Sequence, residues 1–319
     1  MTDFLLLDQL GRMIREVKRP RLMYRKGIVA EGFFRPYMSW SDHTRAEMLR
    51  NPDEITAVTV RFSSMTGDRG TPDTARNIKG MAVKFRGRDG CLDLICQSLP
   101  VFFINDEGKF PYLKDAMSRR SCFDRYDKER LWRFAAENPE SLNCIIRLFS
   151  CQGLCESFVD VKWYSVNTYV WENAEGKRIL IRYKWSPVLR KGEIKTCMTG
   201  RIRAEFMAGF DPDRCEEDLE SRIREGRFPC FELQVQMRSW EDGIDAVRRT
   251  LCWDEKQFPP VPAGVMKLTK AGNECMESED SISFIPGNTF DGMYIYGDEF
   301  SRIMEHAQRT GAAQRGGSL

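Results

Sequence analysis

AVTVRFSSMTGDRGTPDTARNIKGMAVKF, at residues 57–85, holds two strand-like runs around a turn-rich middle. Residues 55–62 (ITAVTVRF) alternate and are β-branched, the pattern of a strand with one buried face. The run Thr66-Gly67-Asp68-Arg69-Gly70-Thr71-Pro72-Asp73 concentrates residues that favour turns. Strand patterns resume at 80–86, 92–97 and 100–105. Towards the N-terminus, Phe4, Leu7, Leu10, Ile14 and Val17 predict a helix within residues 1–18, which Lys18-Arg19-Pro20-Arg21 breaks. Towards the C-terminus, helices are predicted at 111–118, 124–137 and 140–150, with Asn138-Pro139 stopping the second. Strands at 161–171 and 178–185 are joined across Glu172-Asn173-Ala174-Glu175-Gly176 as a hairpin. A polar helix at 213–226 precedes the strand FELQVQM at 231–237. Pro259-Pro260-Val261-Pro262 reads as a stiff connector to a strand at 264–270, with another at 281–285. A last helix is predicted at 297–310, and the small, polar tail 311–319 reads as frayed. No repeat or linker interrupts this order, so residues 1–319 are expected to form a single domain. Many strands with helical insertions, and no βαβ alternation, predict an α+β fold built on an antiparallel β-barrel.

Composition narrows the function classes. The 49 Lys+Arg against 47 Asp+Glu leave a net charge of +2, too small to announce a nucleic-acid partner. Phe4-Leu5-Leu6-Leu7 is too short for a secretory signal, and no run of about 18 apolar residues predicts a membrane span. Eleven cysteines occur singly, the closest being Cys151 and Cys155, with no Cys-x-x-Cys pair to suggest a zinc ribbon or redox motif. Their odd number and the missing signal point to reduced thiols and a cytoplasmic location. His43 and His306 are the sole histidines, so a three-histidine metal site cannot be built from one chain.

At this point the chain resembles the catalase family. KGIVAEGFF (26–34), the 57–85 block, DLICQSLPVFFIND (93–106), EGRFPCFELQVQM (225–237), the Trp253…FPPVPAGVMKL run and FIPGN (284–288) follow the family's order and spacing. The resemblance covers about residues 15–315. It implies an eight-stranded antiparallel barrel, helices packed around it, and a deeply buried haem b that handles peroxides. It also implies the compact core type, with a homodimer as the assembly.

Carried over residue by residue, the family pattern is altered where the chemistry sits. Tyr24 stands at the position of the distal histidine, and a phenol with a pKa near 10 is a poor base at neutral pH. Gln97 stands at the distal asparagine position and keeps an amide donor for a bound oxygen. Aligned without gaps from FIPGN, the iron-ligand tyrosine position falls on Gln308 and its partner arginine on Met304. His306 lies two residues from Gln308, about 200° around a helix, and faces elsewhere. A rival register places Tyr296 at the ligand position, but Gly292 then stands where the arginine belongs. Arg21 and Arg61 match arginines that hold the haem propionates, and Arg315 sits near a third. Phe110 matches the aromatic that stacks on the porphyrin, Phe102 and Phe103 line its approach, and Ser63 matches the residue that orients the distal histidine.

Two readings follow. In one, the protein is a haem-dependent oxidoreductase acting on hydrogen peroxide or small organic hydroperoxides with altered activity, its iron held by a shifted ligand such as Tyr296, Tyr24 or a cysteine. In the other it is a haem-free relative whose barrel binds another small ligand or serves as an interaction scaffold.

Overall fold

Alternation along the 57–85 block becomes a barrel wall. The structure, a computed structural model, describes residues 4–16, 21–88, 90–118, 128–189, 200–279 and 281–314. Its strands are β1 (Gly27–Pro36), β2 (Thr56–Ser64), β3 (Lys79–Gly87), β4 (Gly90–Gln97), β5 (Trp163–Tyr164), β6 (Tyr169–Glu172), β7 (Arg178–Pro187), β8 (Cys230–Ser239), β9 (Val261–Ala271) and β10 (Met293–Ile295). Antiparallel pairing runs from β1 through β2, β3 and β4 to β5, then through β7, β8 and β9 back to β1. β5 and β6 share one edge of β7 and act as a single interrupted stave, so eight staves close the barrel. β10 adds to the free edge of β6.

The barrel interior is aromatic. Val58, Val60 and Phe62 of β2 point inward with Met81, Val83 and Phe85 of β3. Phe62 stacks on Phe158 at 5.2 Å and meets Trp163 and Phe231 at 5.5 and 6.1 Å. Side chains alternate across a strand, so Arg61 and Ser63 point out of the barrel. That outer face is covered, not solvated. The helices are α1 (Phe4–Glu16), α2 (Phe110–Ala116), α3 (Lys128–Glu137), α4 (Leu142–Phe149), α5 (Arg201–Phe210), α6 (Arg214–Arg224) and α7 (Glu299–Gln314). Leu6 and Leu10 of α1, Phe110 and Leu113 of α2, and Phe300 and Ile303 of α7 share a second apolar cluster with Met65, Ile78 and Val101.

Several expectations need correction. The 161–171 strand is broken at Ser165, whose N–H donates to the Tyr183 carbonyl while its hydroxyl accepts the Tyr183 N–H. The ladder is satisfied there by a side chain, and residues 165–168 leave the sheet. Residues 100–105 form no strand despite their apolar content. Pro100 brings no N–H, and the Leu99 and Val101 carbonyls are taken by the Gln97 amide. Residues 281–285 are also irregular, because Ile285 N–H donates to the Asp93 carboxylate rather than to a neighbouring strand. The expected frayed tail begins too early: α7 continues to Gln314, with Ala312 fully buried. Sequence periodicity missed α5 and did not mark β1 as a strand. Gly32 of β1 sits at the bulge against β9, where an added Cβ would lie 2.0 Å from the Lys267 carbonyl oxygen. No helix among the described residues is long and apolar enough to cross a membrane.

Candidate functional site

Between the outer face of β2–β4 and the helices lies a cavity of about 230 Å³. Arg61 and Ser63 of β2, Gly80 and Ala82 of β3, and Ile95 and Gln97 of β4 form its floor. Leu10 and Ile14 of α1, Phe110 of α2, and Phe300, Met304, Ala307, Gln308 and Gly311 of α7 enclose it. The strand break after β5 brings Val166 and Asn167 to the wall. Among the described residues lining it there is no His, Asp or Glu, and Tyr24 carries the sole phenol.

Tyr24 is held in an unusual way. Its backbone has φ +58°, a region that a bulky L residue enters at a cost. Its N–H donates to the Met65 carbonyl at 3.0 Å, and its carbonyl accepts Arg61 Nη2 at 2.8 Å. The ring lies over Gly80, where an added Cβ would approach Tyr24 Cε1 to 2.8 Å and Ser63 Oγ to 3.0 Å. Tyr24, Ser63 and Gly80 are thereby brought together as a packed unit.

Gln97 lines the cavity, but its amide is engaged elsewhere. Nε2 donates to the Leu99 carbonyl at 3.1 Å and to the Val101 carbonyl at 2.7 Å. Both of its N–H groups therefore hold the loop after β4, and the expected donor to a bound oxygen is not offered.

The charged groups come from distant segments. Arg61 Nη2 pairs with Glu279 Oε1 at 2.8 Å, and Arg21 donates to the carbonyls of Glu279 and Ile282. Arg249 gives the cavity a third guanidinium, one that sequence reasoning missed, since VRRT at 247–250 carries no site signal. It grips Asp298 with two bonds at 2.6 and 2.8 Å, donates to Asn167 Oδ1 and Ser301 Oγ, and stands 4.3 Å from the Phe300 ring centre. Burial alone would raise the Asp298 carboxyl, but Arg249 and Ser301 more than offset this and hold it below the usual carboxylate range. Behind Tyr24, Lys26 Nζ is shared by Asp73 Oδ1 at 3.0 Å and Asp213 Oδ1 at 2.6 Å. Near that pair, burial and the Asp73 charge push Glu216 up to about 8.

The two candidate ligand positions lie on α7 and just before it. Phe300, Met304, Ala307, Gln308 and Gly311 turn inward at helical spacing, so Gln308 lies on the cavity side of the helix. Tyr296 is not on the wall. It packs 5.8 Å from Trp240 against the cluster of Val170, Leu180, Ala246 and Trp253, and the rival register does not bring a phenol to the cavity. His306 is exposed, and His43 packs on Trp40 at a shallow surface pocket. Phe110 and Phe102 line the cavity, whereas Phe103 is buried beneath it. Arg315 lies outside the described residues.

A haem b can be tested against this donor set. Its ring would find apolar walls and Phe110, and its acid groups would approach Arg21 and Arg61. Its iron finds no matching donor on α7, where the inward residues carry no phenol, imidazole or acid. Cys96 also reaches the wall, but burial pushes its thiol up and keeps it protonated, a poor ligand form. The residues present therefore fit the perimeter of the group and do not fit ligation of its iron from α7.

Comparison with known proteins places this site in context. A family model described as Catalase matches residues 1–307. A catalase of Alkalihalophilus pseudofirmus is 31% identical over 311 residues, covering 93% of this chain and 44% of that protein. Catalase-2 of Bacillus subtilis is 31% identical over 306 residues, again covering 93% of this chain and 44% of that protein. This chain thus spans less than half the length of those two relatives. Catalase A from Saccharomyces cerevisiae superposes with a TM-score of 0.86 at 26% identity, over 99% of this chain and 65% of that one.

Proposed function

The chain belongs to the catalase family, and from that premise we propose that it is a haem b oxidoreductase of altered activity towards hydrogen peroxide or small organic hydroperoxides. One observation carries the reading. Arg21, Arg61 and Phe110, drawn from separate segments, converge on one apolar cavity between the barrel and α7. The haem would be held by its edge and faces, and it would supply the redox chemistry of peroxide reduction. The chain's own residues shape and restrict that site. Phe110, Phe300 and the methionines exclude water, Arg21 and Arg61 give a positive edge, and Tyr24 fills the space above Gly80.

Tyr24 cannot take a proton at neutral pH as an imidazole does, and general acid–base catalysis contributes about 10²–10⁴-fold. Disproportionation of hydrogen peroxide is accordingly expected at least about 100-fold below that of a relative with histidine at this position. A single domain across the chain belongs to the same proposal, supported by the unbroken barrel from β1 to β9. So do a homodimer, which the family resemblance supports, and a cytoplasmic location.

Expression with added haem tests the reading. A Soret band at near-stoichiometric occupancy is expected, shifted by Tyr24→Phe and little changed by Gln308→Ala. A folded protein that shows no band would sink the haem assignment and leave a haem-free barrel.

A further inference from the structure

Two thiols meet inside the fold, away from the cavity. Cys155 lies in the loop between α4 and β5, and Cys215 in the first turn of α6. Their sulfurs stand 3.8 Å apart, with Cys155 6% exposed and Cys215 fully buried. The Cys155 thiol donates to the Ser157 carbonyl at 3.1 Å, and Phe158, Leu219 and Ile223 belong to the same apolar cluster. Among the described residues, no third His, Cys, Asp or Glu completes a metal-binding group with them.

Contacts on both segments hold the sulfurs together. Cys215 N–H donates to Asp73 Oδ2 at 3.0 Å, which anchors the start of α6 on the connection between β2 and β3. Ser157 Oγ donates to Asp218, one turn further along the same helix. Two residues 60 apart in sequence are thereby kept in register. A disulfide sets its sulfurs about 2 Å apart, so closing this contact asks a movement of about 1 Å from each side.

We propose that Cys155 and Cys215 form a redox-active pair, which a peroxide converts to a disulfide that locks α6 to the loop before β5. Cys155 reacts first, because it is the thiol with exposure to solvent. Its sulfur attacks one peroxide oxygen and the O–O bond breaks, leaving a sulfenic acid and one water, or one alcohol from an organic hydroperoxide. Burial, the facing Cys155 and the Asp73 charge push the Cys215 thiol well up, so it keeps its proton until this second step. The Cys215 sulfur then attacks the Cys155 sulfur, the S–O bond breaks, and the hydroxyl leaves as water with the Cys215 proton. The two thiols lose two electrons and one peroxide gains them. The cross-link closes residues 155–215, with β5, β6, β7 and α5 between its ends, and stabilises the fold by restricting the unfolded chain. Neither cysteine lines the cavity, so the pair acts whether or not haem is bound.

Excess hydrogen peroxide added to the full chain tests it, followed by alkylation with N-ethylmaleimide in denaturant and peptide mapping without reductant. The expected product joins the Cys155 and Cys215 peptides, is lighter by two hydrogens, and returns to two alkylated thiols after dithiothreitol. The oxidised protein should unfold at a urea midpoint at least about 0.5 M above the reduced one. In Cys215→Ala, dimedone should trap a sulfenic acid on Cys155, whereas Cys155→Ala should leave Cys215 a free thiol. If a variant does not fold, the mapping and midpoints of the native chain decide. Three results would each overturn the proposal. One is alkylation of both residues while the exposed Cys252 is oxidised, and another is a disulfide from either residue to a different cysteine. The third is a urea midpoint that the cross-link leaves unchanged.

Discussion

Tyr24 shows how a single residue can be forced by its surroundings. A left-handed backbone on a non-glycine residue costs about 1–3 kcal/mol and persists where neighbours over-determine it. Here the Met65 carbonyl, the Arg61 guanidinium and the flat face of Gly80 do so together. Gln97 teaches the complementary lesson: an amide that is conservative in chemistry can be spent on two backbone carbonyls. Glu216 carries a prediction at this scale. Its folded pKa lies near 8 against an ordinary 4.5, so the folded state binds the proton more tightly than the unfolded one. The associated stability is present below about pH 4.5 and is lost as pH rises to about 8. Urea unfolding midpoints should therefore fall between about pH 5 and pH 8.5, and Glu216→Gln should flatten that slope. An unchanged slope in the variant would show that the burial of this carboxyl is not felt. Sequence alone marked Tyr24 and Gln97 by position, but the backbone angle at Tyr24 arises from contacts many residues away, and the Gln97 donor is spent because the loop after β4 folds back on it.

At the scale of elements, α7 is the wall that matters. Its inward stripe runs from Phe300 through Met304, Ala307 and Gln308 to Gly311, at helical spacing. What fixes the helix against the barrel is Arg249, through Asp298 and Ser301 at the helix start and Asn167 in the break after β5. Removing one member of a buried ion pair strands the other, so Arg249→Leu is expected to cost about 3–5 kcal/mol by chemical denaturation. A loss under about 1 kcal/mol would mean that α7 is held by apolar packing alone. The β1–β9 seam makes a second prediction. A methyl group at Gly32 meets the Lys267 carbonyl, and Gly32→Ala should destabilise the fold by about 1–3 kcal/mol or more through overpacking. Unchanged stability would show that the bulge can open without loss. Neither contact was visible beforehand, because Arg249 and Asp298 are 49 residues apart and Gly32 meets its partner only when the sheet closes.

Closure is the property of the whole molecule. Phe62 touches Phe158, Trp163 and Phe231, contributed by three other parts of the chain, so it ties opposite staves together. Phe62→Ala should cost about 3–5 kcal/mol, read as a lower unfolding midpoint with one cooperative transition. A cost near that of a surface change would mean the interior relaxes around the gap. The amino-acid sequence by itself determined the antiparallel class, the family and most of the strand and helix order, and it put Tyr24, Gln97 and Gln308 at the positions that the family resemblance singles out. Those depend on local periodicity and residue identity, which a linear reading preserves. Tertiary structure alone decided that Tyr296 lies off the cavity, that Gln97 has no donor to give, that Arg249 joins the site, and that Glu279 answers Arg61. Apart from the Gln97 amide, which is spent within its own loop, each of these is a pairing between segments far apart in sequence. The closed barrel and the seated α7 bring them together, and no local pattern encodes which charge a buried guanidinium will meet.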